Sequence, residues 1–376
     1  MQVKGICRSI VDKLKERTVS LSQGRNAGCI GLINPEQVVD RVTTLVNGGI
    51  SGLPLRQLLD KVVPMQGSPI IIGVDALPEN AVLITTRPGK SGLITDVSGV
   101  DFFNIPIISI GMKMGEVAGV GILYPDSRLF DLGTESEAVD LDILAAQSME
   151  EEKDILRKST ELSLEFLDIS QPLEVVDIPE QPWEYKGNGQ LSIPRLEVQA
   201  IGSELAEELV AKSMEVGQGR EVAMLAKINN QGKVQPFGKI VAGGMGYVPS
   251  RILASSANDI KGKSLREVYS SHVPMEAVIV HTHPGGTGVM HIGDASAGPG
   301  TWGRPIIAIG HDRDGKVRGA TVVEVSDKLF SLADEDERLG LEFFDANTPE
   351  EESALRNRKF GIAQEYTSLC KPIEIS

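Results

Sequence analysis

The sequence predicts an α/β fold arranged as two domains. The chain has 376 residues, of which 41% are hydrophobic, and this length exceeds what one hydrophobic core commonly supports. Segments with helical periodicity alternate with short apolar runs, and a proline-rich stretch interrupts both patterns near the middle. We therefore place a first α/β domain at residues 1–167, a linker at 168–195, a second domain at 196–330 and an acidic, helical tail at 331–376. No internal repeat is visible in the sequence.

The first domain is predicted to begin with a helix around residues 11–16. A second helix is predicted over "INPEQVVDRVTTLVNGG", because Asn34 can cap it, Pro35 suits its first turn and apolar residues recur at helical spacing. The runs "PIIIGVDA", "AVLITT", "PIISIG" and "GVGILYP" are bounded by Gly, Pro and Asp, which is typical of buried strands. Residues 148–167 combine an acidic start with apolar residues three and four apart, which predicts an amphipathic helix.

The second domain shows a helix in "GSELAEELVAKSMEVG" and then two apolar runs around "NNQGK", which predict a hairpin. A further helix is predicted in "GKSLREVYSSH", and "MEAVIV" is typical of a strand that leads into His281 and His283. A last hairpin is expected to turn at Asp314 and Gly315.

Composition excludes several classes of partner. A net charge of −15 and the absence of clustered Lys and Arg argue against nucleic acid, because such surfaces neutralise phosphates. The most apolar stretch, residues 102–125, is interrupted by Pro106, Lys113 and Glu116, so we expect no membrane span. The three cysteines are far apart in the sequence, which favours free thiols in the cytoplasm. The oligomeric state is not predicted.

The histidines are concentrated in one segment. Three of the five lie within eleven residues, in "HTHPGGTGVMH", and none precedes His272. Alternate residues of a strand point to one face, so His281 and His283 can present two imidazoles to one metal ion. A catalytic zinc site needs a third protein ligand and a water. Asp294 can supply that ligand, and His291 competes with it.

Hydrolysis at such a site also needs a base that takes a proton from water. Glu221 begins the apolar run "EVAMLAKI", where its charge otherwise has little reason to be. Glu276 lies closer to the histidines in sequence, but it is five residues before His281 and therefore on the opposite face of that strand. We expect Glu221 to be the base.

Taken together, Glu221, "HTHP" and Asp294 resemble the JAMM (MPN-plus) zinc metalloproteases, whose pattern is a glutamate, then HxHP, then SxxD. The resemblance covers roughly residues 196–327. It implies a cytidine-deaminase-like mixed sheet flanked by helices, with zinc bound by His281, His283 and Asp294 and with Glu221 as general base. It further implies a protein or peptide substrate, cut at a peptide or isopeptide bond such as one at the C-terminus of a ubiquitin-like or sulfur-carrier protein.

The sequence departs from the family pattern at two places. His291 stands where the family has the serine that stabilises the oxyanion, and its imidazole can donate the same hydrogen bond, bind the metal or mark altered chemistry. The family follows its aspartate with a helix, whereas "ASAGPGTWG" predicts a flexible loop.

Two other functions stay open. The chain can be a non-catalytic MPN-type scaffold in which the first domain binds a partner, or a zinc hydrolase of a small amide. His272 and His311 are expected to be surface residues. "TTRPGKSG" lacks the first glycine of a phosphate-binding P-loop, because Ile84 occupies that place.

Overall fold

The computed structural model describes residues 2–50, 52–94, 96–97, 99–187 and 193–376. It shows a mixed α/β protein with two β-sheets, one built by each half of the chain. None of the helices within these ranges is both long enough and apolar enough to cross a membrane.

The described part of the first half contains, in chain order, β1 (Gly5–Cys7), α1 (Arg8–Leu21), β2 (Ala27–Ile33), β3 (Val38–Val42), β4 (Val46–Asn47), α2 (Leu55–Asp60), α3 (Ile70–Asp75), β5 (Ala81–Pro88), α4 (Val100–Phe103), β6 (Ile107–Lys113), β7 (Glu116–Leu123), α5 (Ser127–Ala145), α6 (Met149–Ile169), β8 (Gln171–Pro172) and β9 (Glu174–Val176).

The second half contains β10 (Ala200–Ile201), α7 (Ser203–Val216), β11 (Val222–Ile228), β12 (Lys233–Pro236), β13 (Val241–Ala242), α8 (Ser250–Ser255), α9 (Leu265–Glu267), β14 (Ala277–Pro284), α10 (Ile292–Ala295), β15 (Ile306–His311), β16 (Val317–Val323), α11 (Asp327–Glu342), α12 (Pro349–Ser368), β17 (Lys371–Pro372) and β18 (Glu374–Ile375). Two π-helical turns, Val268–His272 and Ser296–Trp302, continue α9 and α10.

The two sheets have the same strand order. The first reads β8-β7-β6-β5-β2-β3-β1-β9 with β4 beside β2, and the second reads β17-β16-β15-β14-β11-β12-β10-β18 with β13 beside β11. Even the register irregularity recurs, between Gly111 and Met112 in the first sheet and between Gly310 and His311 in the second. The expectation of no internal repeat is therefore wrong, because the chain is a structural duplication.

The strand order shows that the predicted linker and the predicted tail each supply edge strands to a sheet. Strands β8 and β9 lie within residues 168–195 and pair at the two edges of the first sheet. Strands β17 and β18 lie within residues 331–376 and pair at the two edges of the second sheet. The helices α11 and α12 of the predicted tail occupy the places that α5 and α6 have in the first half.

Most predicted elements are confirmed, including the amphipathic helix α6 and the hairpins β11–β12 and β15–β16, and two are wrong. The helix predicted from Asn34 is the β2–β3 hairpin and β4. Asn34 makes its turn: the backbone N–H groups of Gln37 and Val38 donate to its carbonyl and side-chain oxygens, both at 2.9 Å. The predicted strand "PIIIGVDA" is the helix α3, in which Gly73 lets the backbone pack against Met65.

The two halves pack against each other through one shared hydrophobic core. Buried side chains of both halves belong to it, among them Phe103 and Leu329. At this junction the Phe102 ring meets the Trp302 ring edge-on, with 5.1 Å between the ring centres. Burial of apolar surface between the halves stabilises their fixed arrangement.

Two carboxylates form hydrogen bonds across this junction, one from each half to the other. Glu337, on α11, accepts the backbone N–H groups of Arg56 and Gln57 in the first turn of α2. Glu137, on α5, accepts those of Arg251 and Ile252 in the first turn of α8. Burial raises the pKa of Glu337, and it raises the pKa of Glu137 to about 7, more than these hydrogen bonds lower it.

Candidate metal centre

The predicted histidine pair lies on an interior strand of the second sheet. Strand β14 pairs antiparallel with β11 and parallel with β15, so His281 is opposite Ala223 on one side and Ala308 on the other. His281 and His283 face the same side of the sheet, and Thr282 faces away. The hydroxyl of Thr282 accepts the backbone N–H of Val222 at 3.1 Å, which fixes β11 against β14 at this level.

Asp294 completes a group of three ligands. It lies in α10 and directs its carboxylate at both imidazoles, with 3.3 Å from Oδ1 to His281 Nε2 and 3.6 Å from Oδ2 to His283 Nε2. The two Nε2 atoms are 2.9 Å apart. Ligands about 2.0–2.1 Å from a tetrahedral zinc lie roughly 3.3 Å from one another. The donor types and spacing therefore fit a metal ion, and these three residues can hold one.

Asp294 and His283 each shift the pKa of the other in the direction that favours its charged form. Burial raises the pKa of the Asp294 carboxyl, but the hydrogen bonds from His281 and His283 outweigh burial and hold it far below its usual range. Burial lowers the pKa of His283, but its hydrogen bond with Asp294 and the negative charges of Asp294 and Glu221 raise it overall. The ionised form of Asp294 is therefore favoured beside these histidines.

Glu221 is a buried carboxylate beside this group. It directly precedes β11, is 7% exposed, and its carboxylate accepts no hydrogen bond from the part of the chain that the structure describes. Burial raises its pKa, while the charges of His281 and His283 lower it in part. A raised pKa is what a general base near neutral pH requires.

Glu276 is far from the imidazoles. It precedes β14 at the end where Lys227 pairs with Ala277, and it lies five positions before His281 along the chain. At about 3.3 Å per residue this is roughly 16 Å along the strand. The geometry agrees with the preference for Glu221 over Glu276.

His291 lies at the edge of the site with its side chain 66% exposed. It caps α10: the Gly293 N–H donates to its Nδ1 at 3.0 Å, and its own N–H donates to Asp294 Oδ2 at 3.1 Å. Because Nδ1 accepts a hydrogen bond, the proton of the neutral ring is on Nε2. His291 is outside the group of three that can hold a metal.

The segment predicted as a flexible loop after Asp294 is helical, and that prediction is wrong. Helix α10 continues into the π-helical turn Ser296–Trp302. Trp302 anchors it by stacking on Tyr269 with 3.9 Å between ring centres. Gly298 permits close packing, since a Cβ there would lie 2.9 Å from the side chain of Ile306. These glycines serve packing rather than flexibility.

Glycines also permit close packing between the loop that follows the histidine pair and the sheet. A Cβ added at Gly310 would lie 2.2 Å from the backbone nitrogen of Gly288, whose φ is +83°. The hydroxyl of Thr321 donates to the Gly288 carbonyl oxygen. The loop therefore lies directly on β15 and β16.

The remaining two histidines differ from each other. His272 is exposed, as expected. His311 was expected at the surface but is 3% exposed, so that prediction is wrong. Its Nδ1 is 2.9 Å from the Asp312 carbonyl oxygen, and its Nε2 is 3.1 Å from Ser213 Oγ. The ring of this last residue of β15 therefore packs against α7. The sequence carries no signal for this contact between distant elements.

Comparisons with models of protein families, with curated proteins and with solved structures give no match.

Proposed function

We propose that the chain is a zinc-dependent hydrolase of amide bonds, a metallopeptidase or isopeptidase of the JAMM type. The observation that carries the proposal is the arrangement of His281, His283 and Asp294 within ligand distance of one another, with the buried Glu221 beside them. The combination of a metal-ligand group, a base with a raised pKa and a hydrogen-bond donor is typical of a hydrolytic site.

Zinc suits this donor set because two imidazoles and one carboxylate leave a fourth position for water. When bound, the ion would lower the pKa of that water and polarise a carbonyl oxygen. Glu221 would accept the proton of the water and later return it to the nitrogen of the leaving amine. His291 would donate from Nε2 to the carbonyl oxygen as negative charge develops there.

Substrate class follows from the family resemblance rather than from the site alone. The HxHP pattern on a mixed sheet flanked by helices supports the proposal of a JAMM-like, cytidine-deaminase-like fold for the second half. We propose a peptide or isopeptide bond in a protein substrate, with the C-terminus of a ubiquitin-like or sulfur-carrier protein as the first to test. The free thiols Cys7, Cys29 and Cys370 fit a reducing compartment, so we assign the protein to the cytoplasm.

A non-catalytic scaffold is the second candidate, and one observation favours it. The first half has the same strand order as the second but contains no histidine, so a sheet of this order does not require the histidine pair. A hydrolase of a small amide would share the metal chemistry and differ only in substrate. Cleavage of model amides, with no protein cleaved, would indicate that third function.

Metal content tests the proposal first. The protein, purified without an affinity tag and supplied with zinc, is expected to hold close to one zinc per chain. His283→Ala and Asp294→Ala should lose it, because each leaves two ligands, whereas His272→Ala should keep it as the matched control. A wild-type protein that takes up no zinc, or variants that keep it, would overturn the zinc-hydrolase assignment and favour the scaffold.

A further inference from the structure

The duplicated fold places a second candidate site in the first half. Strand β5 and its loop read "AVLITTRPG" where β14 and its loop read "AVIVHTHPG". In register, Thr85 pairs with Gly28 as His281 pairs with Ala223. Arg87 is opposite Gly111 as His283 is opposite Gly310. Thr85 and Arg87 therefore take the places of the two histidines.

Asn26 takes the place of Glu221. The Asn26 N–H donates to the Gly49 carbonyl oxygen at 3.0 Å, as the Glu221 N–H donates to that of Gly244 at 2.9 Å. The return bonds also correspond: the N–H groups of Gly48 and Gly243 donate to the Asn26 and Glu221 carbonyl oxygens, both at 2.8 Å. The backbone of the site is thus retained, while its base is replaced by an uncharged amide.

The surrounding framework is equally preserved. Thr86 accepts the N–H of Ala27 at 2.9 Å, as Thr282 accepts that of Val222 at 3.1 Å. A Cβ added at Gly111 would lie 2.1 Å from the backbone nitrogen of Gly92, which repeats the contact of Gly310 with Gly288. The first half has therefore kept the shape of the site but holds neither imidazole nor base at its positions.

A cavity of about 760 Å³ occupies this place in the first half. Its walls are largely apolar and include Leu53, Leu83, Phe102 and Phe103. Its polar lining includes Arg87, Lys90 and Asp96. Small-molecule sites are commonly concave and apolar with a few convergent polar groups, and this cavity is of that kind.

The charges favour an anion. Arg87 Nη1 lies 3.7 Å from Asp96 Oδ2, and the Asp96 side chain is 58% exposed. The exposed Lys90 adds a second cation, so this end of the cavity is net positive in a chain whose net charge is −15. Arginine binds carboxylates through paired, charge-assisted hydrogen bonds. The apolar walls would bury a hydrophobic group attached to that carboxylate.

We propose that this cavity is a metal-independent binding site for a small carboxylate that carries an apolar side chain, of the kind found at the end of a peptide. The carboxylate contacts Arg87 and Lys90, and the side chain lies against Leu53 and Phe102. The site is independent of the hydrolase assignment, since it shares no residue with the metal centre.

Calorimetric titration with N-acetyl-L-phenylalanine tests this site, with its uncharged amide as the matched ligand. Saturable binding of the acid is expected, at least about tenfold tighter than that of the amide. Arg87→Gln should weaken binding of the acid roughly 10- to 100-fold, as expected for loss of a hydrogen bond between charged groups. Lys90→Gln should weaken it less, and Lys158→Gln, an exposed lysine of α6 outside the cavity lining, should not change it.

Three results would overturn the proposal: no saturable binding by wild type at millimolar acid, equal binding of acid and amide, or undiminished binding by folded Arg87→Gln and Lys90→Gln. Circular dichroism checks the fold of each variant, and Lys90→Gln decides if Arg87→Gln does not fold. Zinc content should be the same in all of them. Failure of this site is thereby distinguishable from failure of the metal centre.

Discussion

Arg251 Nη1 of the second half lies 2.6 Å from Asp101 Oδ1 of the first half, and the two side chains are only 1% and 4% exposed. The same carboxylate oxygen accepts the Leu265 N–H at 2.7 Å. Arg251 also donates to Thr134 Oγ1 at 2.7 Å and to the Lys263 carbonyl oxygen at 3.1 Å. A buried ion pair is tolerated when its other donors and acceptors are satisfied, and this one links the two halves at the same time.

Arg251→Met should destabilise the protein by about 3–5 kcal/mol, because it leaves the buried Asp101 carboxylate without its partner. Urea unfolding of wild type and variant measures the change. Arg157→Met is the control, since its pair with Asp154 is exposed and contributes at most about 1 kcal/mol. A loss below that of the control would contradict the importance of the buried pair.

Glu137→Gln should change how stability depends on pH. The folded pKa of Glu137, about 7, lies above its ordinary value of 4.5 because of burial, so the protonated group stabilises the fold at low pH. That contribution, about 3 kcal/mol, is lost as the pH rises through this interval.

Urea unfolding at about pH 4 and about pH 8 should therefore show wild type losing stability relative to Glu137→Gln as the pH rises. Glu337→Gln should behave in the same direction, because burial raises the pKa of Glu337 at the corresponding place. Glu165→Gln, at an exposed position, is the control for the substitution itself. A parallel pH profile for wild type and Glu137→Gln would show that Glu137 keeps its ordinary pKa.

Glu221→Gln should keep zinc and lose hydrolysis. The amide cannot accept a proton from water, so the rate should fall by about 10²–10⁴-fold. Cleavage of a ubiquitin-like protein carrying a C-terminal extension, together with metal analysis, measures both effects. Glu276→Gln should retain wild-type activity, and an active Glu221→Gln enzyme would assign the base to another group.

His291→Ala should also keep zinc, since His291 lies outside the ligand group. If its Nε2 stabilises the oxyanion, the rate should fall by about 10²–10³-fold. His291→Ser, which introduces the family residue, should recover part of the activity in the same assay. Loss of zinc in His291→Ala would instead make this histidine a ligand.

Removal of the metal should lower the free energy of unfolding, because the candidate ligands lie in the folded second half. A ligand that binds only the folded state stabilises it by about 2.7–4.1 kcal/mol at 100 to 1,000 times its Kd. A chelator should therefore lower the midpoint of unfolding of the zinc-loaded protein. His283→Ala should show no response to the chelator, and an equal response would indicate binding elsewhere.

The sequence predicts which residues come together at the candidate metal centre better than it predicts the fold that carries them. The pairing of His281 with His283 is predictable because a strand places alternate side chains on one face. Spacing alone left Asp294 and His291 as alternatives for the third ligand, and the family resemblance favoured Asp294. The helix from Asn34 was mispredicted because Val38, Val39 and Val42 also fit helical spacing. Pairing with β1 and β2 decides their conformation, and such pairing between distant segments is not visible locally.

The duplication is hard to see in the sequence for a different physical reason. The halves share buried apolar positions, which many residues can fill, and they differ at the polar positions that make a motif recognisable. Thr85 and Arg87 replace the two histidines, so the motif occurs once. The strand order reveals the repeat because backbone pairing does not depend on those side chains.

The contact between Gly288 and Gly310 also bears on how a substrate would enter. Because the loop after the histidines lies flat on the sheet with no room for a Cβ, it cannot swing as a lid without breaking that contact. Opening of this loop in the proposed hydrolase would therefore cost the loss of that contact.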